Sequence, residues 1–404
     1  MATTAHPLAR LTDGASTRPK RLLIVTTVSA TLGAFLFPFA DHFRALGWKV
    51  DAMANGASTC PDCALHFHRC HDANWSRSPF ALRNLLRLPG LFAQVRAAIA
   101  TGYDIVHVHT PVAAFVTRLA LVLPLAGSRP RVVYTAHGFH FQPGNRWFSN
   151  LIYISLERLA GRWTDYLITI NQADELAAHR LALVPPGHLF HMPGIGLDRD
   201  HFRPDAVSLA AVDSLRIRLG IPAIDPVFVM IAEFIPRKRQ QDALLALPRL
   251  TAQNCHLVFV GDGPCRPSVE TLTLSLGLSE RVHFAGQQED VRPFIRMARA
   301  VFLTSEREGL PRSLMESLSC GIPVIGSDIR GIRDLVTAQV GKLFPMGDIP
   351  ALASAFAWFL EHPPEGRAAV NGAAAHMGEL ARRGTARYSI SHILRLHEEL
   401  YAKL

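Results

Sequence analysis

RLLIVTTVSATLGAFLFPFADHFRALGWKVDAMA, residues 21–54, decides the fold class. RLLIVTTV (21–28) is an unbroken apolar run rich in β-branched residues, the pattern of a strand buried on both faces. FPFADHFRALG follows with helical spacing of its apolar positions and ends at Gly47, and WKVDAMA then resumes a strand. Strand, helix and strand in that order make a βαβ unit, whose two strands run parallel.

The unit recurs. DIVHVH (104–109), RVVYTAH (131–137) and YLITIN (166–171) read as strands, with helical segments VAAFVTRLALVL and NLIYISLERLAGRW between them. PGIGLDRDHFRP (193–204), rich in Gly and Pro, breaks the pattern and reads as a linker. A second series begins with VFVMIAEF (227–234) and continues through HLVFVGDGP (256–264), VHFAG (282–286), AVFLTS (300–305) and PVIGS (323–327). An α/β protein is predicted, with two doubly wound Rossmann-like domains facing across a cleft. The closing YSISHILRLHEELYAKL is expected to form a helix that packs back on the first domain. The expected division is a disordered tail over 1–20, a first Rossmann-like domain over 21–200, a second over 201–385 and the returning helix over 386–404.

Composition agrees with two cores: of 404 residues 49% are hydrophobic and 19% charged, which argues against wholesale disorder. No apolar run reaches membrane-spanning length and the first twenty residues lack an apolar signal core, so a cytoplasmic protein is expected. The net charge of +9 is lopsided. Up to residue 204 there are 20 basic and 12 acidic residues; beyond it, 22 and 21. Nucleic acid is not expected as a partner, because no basic run interleaves with aromatics. An anionic membrane surface or a phosphorylated acceptor fits the basic half better. RNLLRLPGLFAQVR (83–96) is the segment read as lying on the inner membrane, through Arg83, Arg87 and Arg96.

CPDCALHFHRCH places Cys60, Cys63 and Cys70 near His66, His68 and His71. C-x2-C is half of a zinc site, but the remaining ligands lack standard spacing, and the stretch reads as a loop. No metal site is expected there or at Asp198-Arg199-Asp200, which falls in the linker.

Ligands of open parallel sheets bind outside the carboxyl ends of the strands. REGLPRSLMESLSCGIPVIGSDIRG (307–331) follows such an end. Pro311 stands at a helix start and Gly321 just past its end. The free N–H groups of Arg312 and Ser313 suit a diphosphate. Glu316 lies one turn on from Arg312, and Glu308 precedes the helix. Carboxylates accept hydrogen bonds from sugar and ribose hydroxyls, so the implied ligand is a nucleoside diphosphate sugar. The alternative is that Glu308 caps the helix and Glu316 makes a surface ion pair with Arg312.

E-G-L-P-x-S-x-x-E-x-x-x-x-G-x-P-V-I resembles the E-x7-E motif of the retaining glycosyltransferases of family 4, which have the GT-B fold. AEFIPRKRQ, VGDGP, VHFAGQQEDV and PGIGLDRDHF resemble further segments of that family. YDIVHVHTPVAAFVTRLA and YTAHGFHF resemble the members that build bacterial exopolysaccharide, capsule and O-antigen. The resemblance implies that Lys238 pairs with the donor diphosphate, with Gly263, Gly309, Leu310, Arg312 and Ser313 around the donor. Glu308 would hold the transferred sugar, Glu316 the ribose, and His137 the sugar near the reacting centre. Gly33 and His109 would belong to the acceptor or cleft loop. Two departures stand out: Glu233 occupies the family's usual arginine position, for which Arg237 or Arg239 would substitute, and Gly33 is alone where paired glycines are usual.

The implied enzyme is a metal-independent, retaining hexosyltransferase without a cofactor, the nucleotide sugar being its substrate. A UDP-sugar donor and a polyprenyl-diphosphate-linked acceptor are expected. GDP-mannose is the competing donor, and a non-catalytic sugar-nucleotide-binding protein the competing class. A nicotinamide oxidoreductase is excluded by the lack of GxGxxG after either first strand.

Overall fold

The computed structural model describes residues 18–75, 87–124, 127–142, 144–252, 254–362 and 373–404. Thirteen strands form two sheets among them. The first holds β1 (Arg21–Val28), β2 (Lys49–Asn55), β3 (Cys70–Asp72), β4 (Ile105–His109), β5 (Arg131–Ala136), β6 (Tyr166–Thr169) and β7 (Leu189–His191), in the order β3-β2-β1-β4-β5-β6-β7. The second holds β8 (Val227–Ile231), β9 (His256–Val260), β10 (Val282–Gly286), β11 (Ala300–Leu303), β12 (Val324–Ser327) and β13 (Gly341–Phe344), in the order β10-β9-β8-β11-β12-β13. The recorded pairings are parallel; Leu22, for instance, lies between Val50 and Ile105. In each sheet the order reverses beside its first strand, the doubly wound arrangement of Rossmann-like folds.

Parallel strands covered on both faces need mainly apolar, buried residues, and Leu22–Val25 of β1 and Leu257–Val260 of β9 supply them. In the second sheet Phe228 and Phe302 lie on the helix residue Phe356, with ring centroids 4.5 and 5.2 Å away. Removing such a ring costs about 3–5 kcal/mol.

The chain divides into two compact units. One is Met1–Tyr134 with Trp163–Asp165; the other is Thr135–Arg162 with Tyr166–Leu404. The stretch after β5 therefore belongs with the second unit. So does the last helix, Ile390–Tyr401, where Ile390 N–H donates to Leu197 O at 2.9 Å and Lys403 lies over the Phe190 ring of β7.

CPDCALHFHRCH is not a loop. It forms the helix Pro61–His66 and then edge strand β3. Cys60 caps that helix, its Sγ accepting from Cys63 N–H at 3.2 Å. Burial, reinforced by the Cys60 bond, pushes the Cys63 thiol up to about 12. Each histidine is engaged elsewhere: His66 with Asp41, His68 with Val50 N–H, His71 with Tyr103. Among the described residues no group of three or more His, Cys, Asp or Glu is arranged to hold a metal ion. Asp198 instead closes a turn, accepting from the N–H groups of Asp200 and His201.

Arg83 lies outside the described residues. Arg87 precedes helix Leu88–Ile99, which buries Leu91, Val95, Ala98 and Ile99. Arg96 donates to the carbonyls of Ala120, Leu123 and Pro124. Its guanidinium closes the end of the neighbouring helix. No helix among the described residues is long and apolar enough to cross a membrane.

Candidate active site

Three strand ends of the second unit meet around one cavity. After β8, Ile231 gives way to a short turn, Pro236–Lys238, that Thr304 holds by donating to the carbonyls of Lys238 and Arg239 at 2.7 and 2.9 Å. Gly261 and Gly263, after β9, support this turn from behind. A Cβ on Gly263 would strike the Phe234 backbone, and Phe234 N–H donates to Asp262 O at 2.8 Å. After β11 the chain passes through Glu306–Leu310 into helix Arg312–Ser319.

A fourth loop closes on them. His137 and Gly138 follow β5, and Gly309 packs so closely that a Cβ there would collide with His137 O. Gly331 is equally tight against Gly309 O. Glycine is needed at Gly331 for its φ of +75° as well. The cavity between these loops has a volume of about 240 Å³ and is lined by His137, Gly138, His140, Arg237, Arg307, Glu308, Gly309 and Arg330.

Lys238 reaches Glu308 across the turn, Nζ to Oε1 at 2.5 Å, with both side chains mostly buried (15% and 13% exposed). Glu308 therefore does not cap the helix. Pro311 precedes the first helical residue, and no side chain caps that start. Glu316 is buried and accepts from Arg312 Nε at 2.7 Å. Burial lifts its carboxyl above the usual range, with Arg312 opposing. The alternative from sequence named the right partner, but the pair straddles the surface: Arg312 is exposed while the Glu316 carboxylate is buried.

Of the two arginines expected to replace the usual one at Glu233, only Arg237 lines the cavity. Arg239 is held by Asp242 at 2.7 and 3.0 Å and by Glu306 at 3.0 Å. Glu233 is exposed. Leu310 fills the space beside Gly194, whose φ is +83°, and Ser313 lies in the helix's first turn.

Gly33 and His109 lie in the first unit. Gly33 is inside helix Ser29–Phe35, not in a loop. His109 ends β4, buried, with its ring 4.1 Å from that of His107.

Sequence reasoning missed three side chains of the cavity. His140 is the second histidine of HGFHF. Arg307 precedes the first glutamate of the motif; burial, then the charge of Arg237, lowers its pKa. Arg330 donates to Asp174 at 2.8 Å and to the carbonyls of Phe139 and Phe141. Only its place beside Gly331 could have drawn attention to it.

Three arginines with Lys238 give the cavity a surplus of positive charge, opposed by Glu308 alone among the lining residues. Burial holds His137 down at about 4; burial, then Arg307, Arg330 and Arg237, holds His140 there too. Both imidazoles are thus neutral at pH 7. The acid limb of kcat/KM should then fall near pH 4, not 6.5, which a profile from about pH 3 to 8 reads directly. Stability follows the same sign. Between about 4 and 6.5 the unfolded chain binds these protons and the folded one does not, so stability is full above pH 6.5 and is lost as pH falls towards 4.

Such a cavity can hold a diphosphate and, through Glu308, the hydroxyls of an attached sugar. The model for "Glycosyl transferases group 1" matches residues 212–377, and that for "Glycosyltransferase Family 4" matches residues 33–193. EpsD of Bacillus subtilis, which is named as a glycosyltransferase, is 34% identical over 350 residues, covering 86% of this chain and 88% of EpsD. The chain belongs to this glycosyltransferase family. An Escherichia coli relative, the UDP-Gal:alpha-D-GlcNAc-diphosphoundecaprenol alpha-1,3-galactosyltransferase, is 29% identical over 259 residues, 63% of this chain and 65% of that one. Among solved structures, Anabaena HepE in complex with UDP-glucose superposes with a TM-score of 0.76 at 20% identity, over 95% of this chain and all of HepE. The two Rossmann-like sheets of this glycosyltransferase are therefore those of the GT-B fold.

Proposed function

We propose that this glycosyltransferase moves a hexose or N-acetylhexosamine from a UDP-sugar to a polyprenyl-diphosphate-linked saccharide, with retention, in bacterial surface or exopolysaccharide biosynthesis. The observation that carries the donor half is the cavity itself: Arg237, Arg307 and Arg330 around the Lys238–Glu308 pair. The relative that acts on a UDP-sugar and a diphosphoundecaprenol-linked sugar supports the substrate classes.

In this reading the donor diphosphate takes Lys238 and Arg237, aided by the open start of helix Arg312–Ser319 at Arg312 and Ser313. Released from Lys238, Glu308 accepts from hydroxyls of the transferred sugar; Glu316 receives the ribose, and neutral His137 lies at the sugar. The acceptor hydroxyl oxygen bonds to the anomeric carbon as the bond from that carbon to the diphosphate oxygen breaks. The electron pair leaves on the diphosphate, which takes up the hydroxyl proton from the same face. Fixed cations then stabilise the developing charge, the role a divalent ion plays elsewhere.

The test is a donor panel with EDTA present, following UDP or GDP release with a membrane-lipid extract as acceptor. Release of UDP from one donor, with an axial or equatorial product bond matching that donor, is the expected result. GDP release instead would move the reading to a mannosyltransferase, and loss of turnover in EDTA restored by a divalent metal would remove metal independence.

A further inference from the structure

Helix Trp147–Gly161 is inside out. Trp147, Phe148, Leu151, Ile152, Leu156 and Leu159 fall at spacings that share one helical face, and all six are exposed, from 77% at Trp147 to 36% at Leu156. Only Ala160 and Gly161 of this helix are buried. The opposite face is the polar one and is turned inward. Asn150 exchanges hydrogen bonds with the backbone of Gln142 at 3.1 and 2.8 Å. Tyr153 lies against the His140 ring, 5.2 Å between centroids. A water-facing helix ordinarily has the reverse polarity.

We infer that this face docks on a bilayer surface bearing anionic headgroups. Charge selects that occupant. Arg146, Arg158 and Arg162 flank the apolar face and are exposed, Arg146 standing 5.3 Å over the Phe148 ring. The helix's one carboxylate, Glu157, is half-buried on the other side. Apolar residues rimmed by arginine, with a tryptophan at one end, are the composition of helices that lie in the membrane interface. Size selects against a second copy of the chain. One face of this fifteen-residue helix, about 22 Å long and roughly 10 Å wide, offers on the order of 200–300 Å², well short of the ~800 Å² per partner of a stable dimer.

The helix's inner face holds the His140 and Gln142 loop, so docking would fix the cavity's own loop beside the headgroups. That consequence rests on the lipid-linked acceptor proposed above; the docking itself does not, and it is measured without any sugar.

The experiment sediments the full-length protein with vesicles of phosphatidylcholine alone or with 30% phosphatidylglycerol, comparing wild type, Leu151→Glu/Leu156→Glu and Arg158→Glu/Arg162→Glu. Expected are binding to the anionic vesicles, a loss of at least tenfold in each double variant, and quenching of Trp147 by brominated lipid that Trp147→Phe removes. Nucleotide release in solution should stay within about twofold in the leucine variant, which shows that it folds and separates this outcome from failure of the catalytic reading. Wild type left in the supernatant with both vesicles, or equal binding by wild type and variants, overturns the proposal. So does a wild-type dimer in light scattering that the leucine variant converts to monomer.

Discussion

Glu308→Gln should lower kcat at least about a hundredfold while leaving donor affinity within about tenfold, and Lys238→Ala should lower kcat/KM by about 10²–10³. The two residues are in contact at 2.5 Å, so each variant changes the other's surroundings. Glutamine keeps the shape of Glu308 and a hydrogen bond to Lys238, but offers the sugar one carbonyl where a carboxylate offers two acceptors. That loss falls on positioning and appears in kcat. Alanine at 238 leaves Glu308 without its cation beside an incoming diphosphate. It removes positive charge from the ground state, where the uncompensated Glu308 then repels the donor, and from beside the departing nucleotide. The split between KM and kcat, measured on the donor that the panel identifies, checks the assignment. Equal effects on both parameters in both variants would show that the pair holds the loop together and nothing more. Lys238→Arg should recover little, because a planar fork does not replace a compact ammonium in contact with one carboxylate oxygen.

That pair was half legible in the sequence. Lys238 and Glu308 each sit in a recognisable segment, but 70 residues separate them, and nothing in either segment says that they meet. The fold was legible where long apolar runs meet clear boundaries. β1 occupies residues 21–28 and β10 residues 282–286, as the runs RLLIVTTV and VHFAG indicate. β3, β7 and β13 escaped notice because they are three or four residues long and lie at the sheet edges. Short edge strands carry half-exposed, mixed residues such as Cys-His-Asp and Leu-Phe-His, so no hydrophobic period marks them. The arginines of the cavity escaped for a different reason. Arg307 and Arg330 stand in the very stretch that drew attention, yet a charge beside a glutamate or a glycine is ordinarily solvated. Their burial comes from packing of the loop after β5, which the local sequence does not encode.

Asp174→Ala should destabilise the protein by about 3–5 kcal/mol, the largest stability effect expected of a single change near the cavity. Asp174 is 1% exposed, and its carboxylate accepts from Arg330 at 2.8 Å, from Asn171 Nδ2 at 2.7 Å and from Phe139 N–H at 3.1 Å. Burial raises its pKa against the pull of Arg330, and burial lowers that of Arg330. Both directions say that desolvation of the pair outweighs its attraction. Removing one partner leaves the other charge inside with nothing facing it, whereas removing both together does not. Arg330→Met/Asp174→Leu should therefore cost less than the sum of the single variants by at least about 2 kcal/mol in urea unfolding. Function should respond differently. Arg330 also grips the carbonyls of Phe139 and Phe141, which carry His140 between them, so the double variant should regain stability without regaining turnover. Arg330→Lys sharpens the distinction, because it keeps the charge opposite Asp174 but cannot span two carbonyls and a carboxylate at once. A lysine variant that is stable and slow identifies the fork as what positions the loop. One that is stable and fully active assigns Arg330 to stability alone.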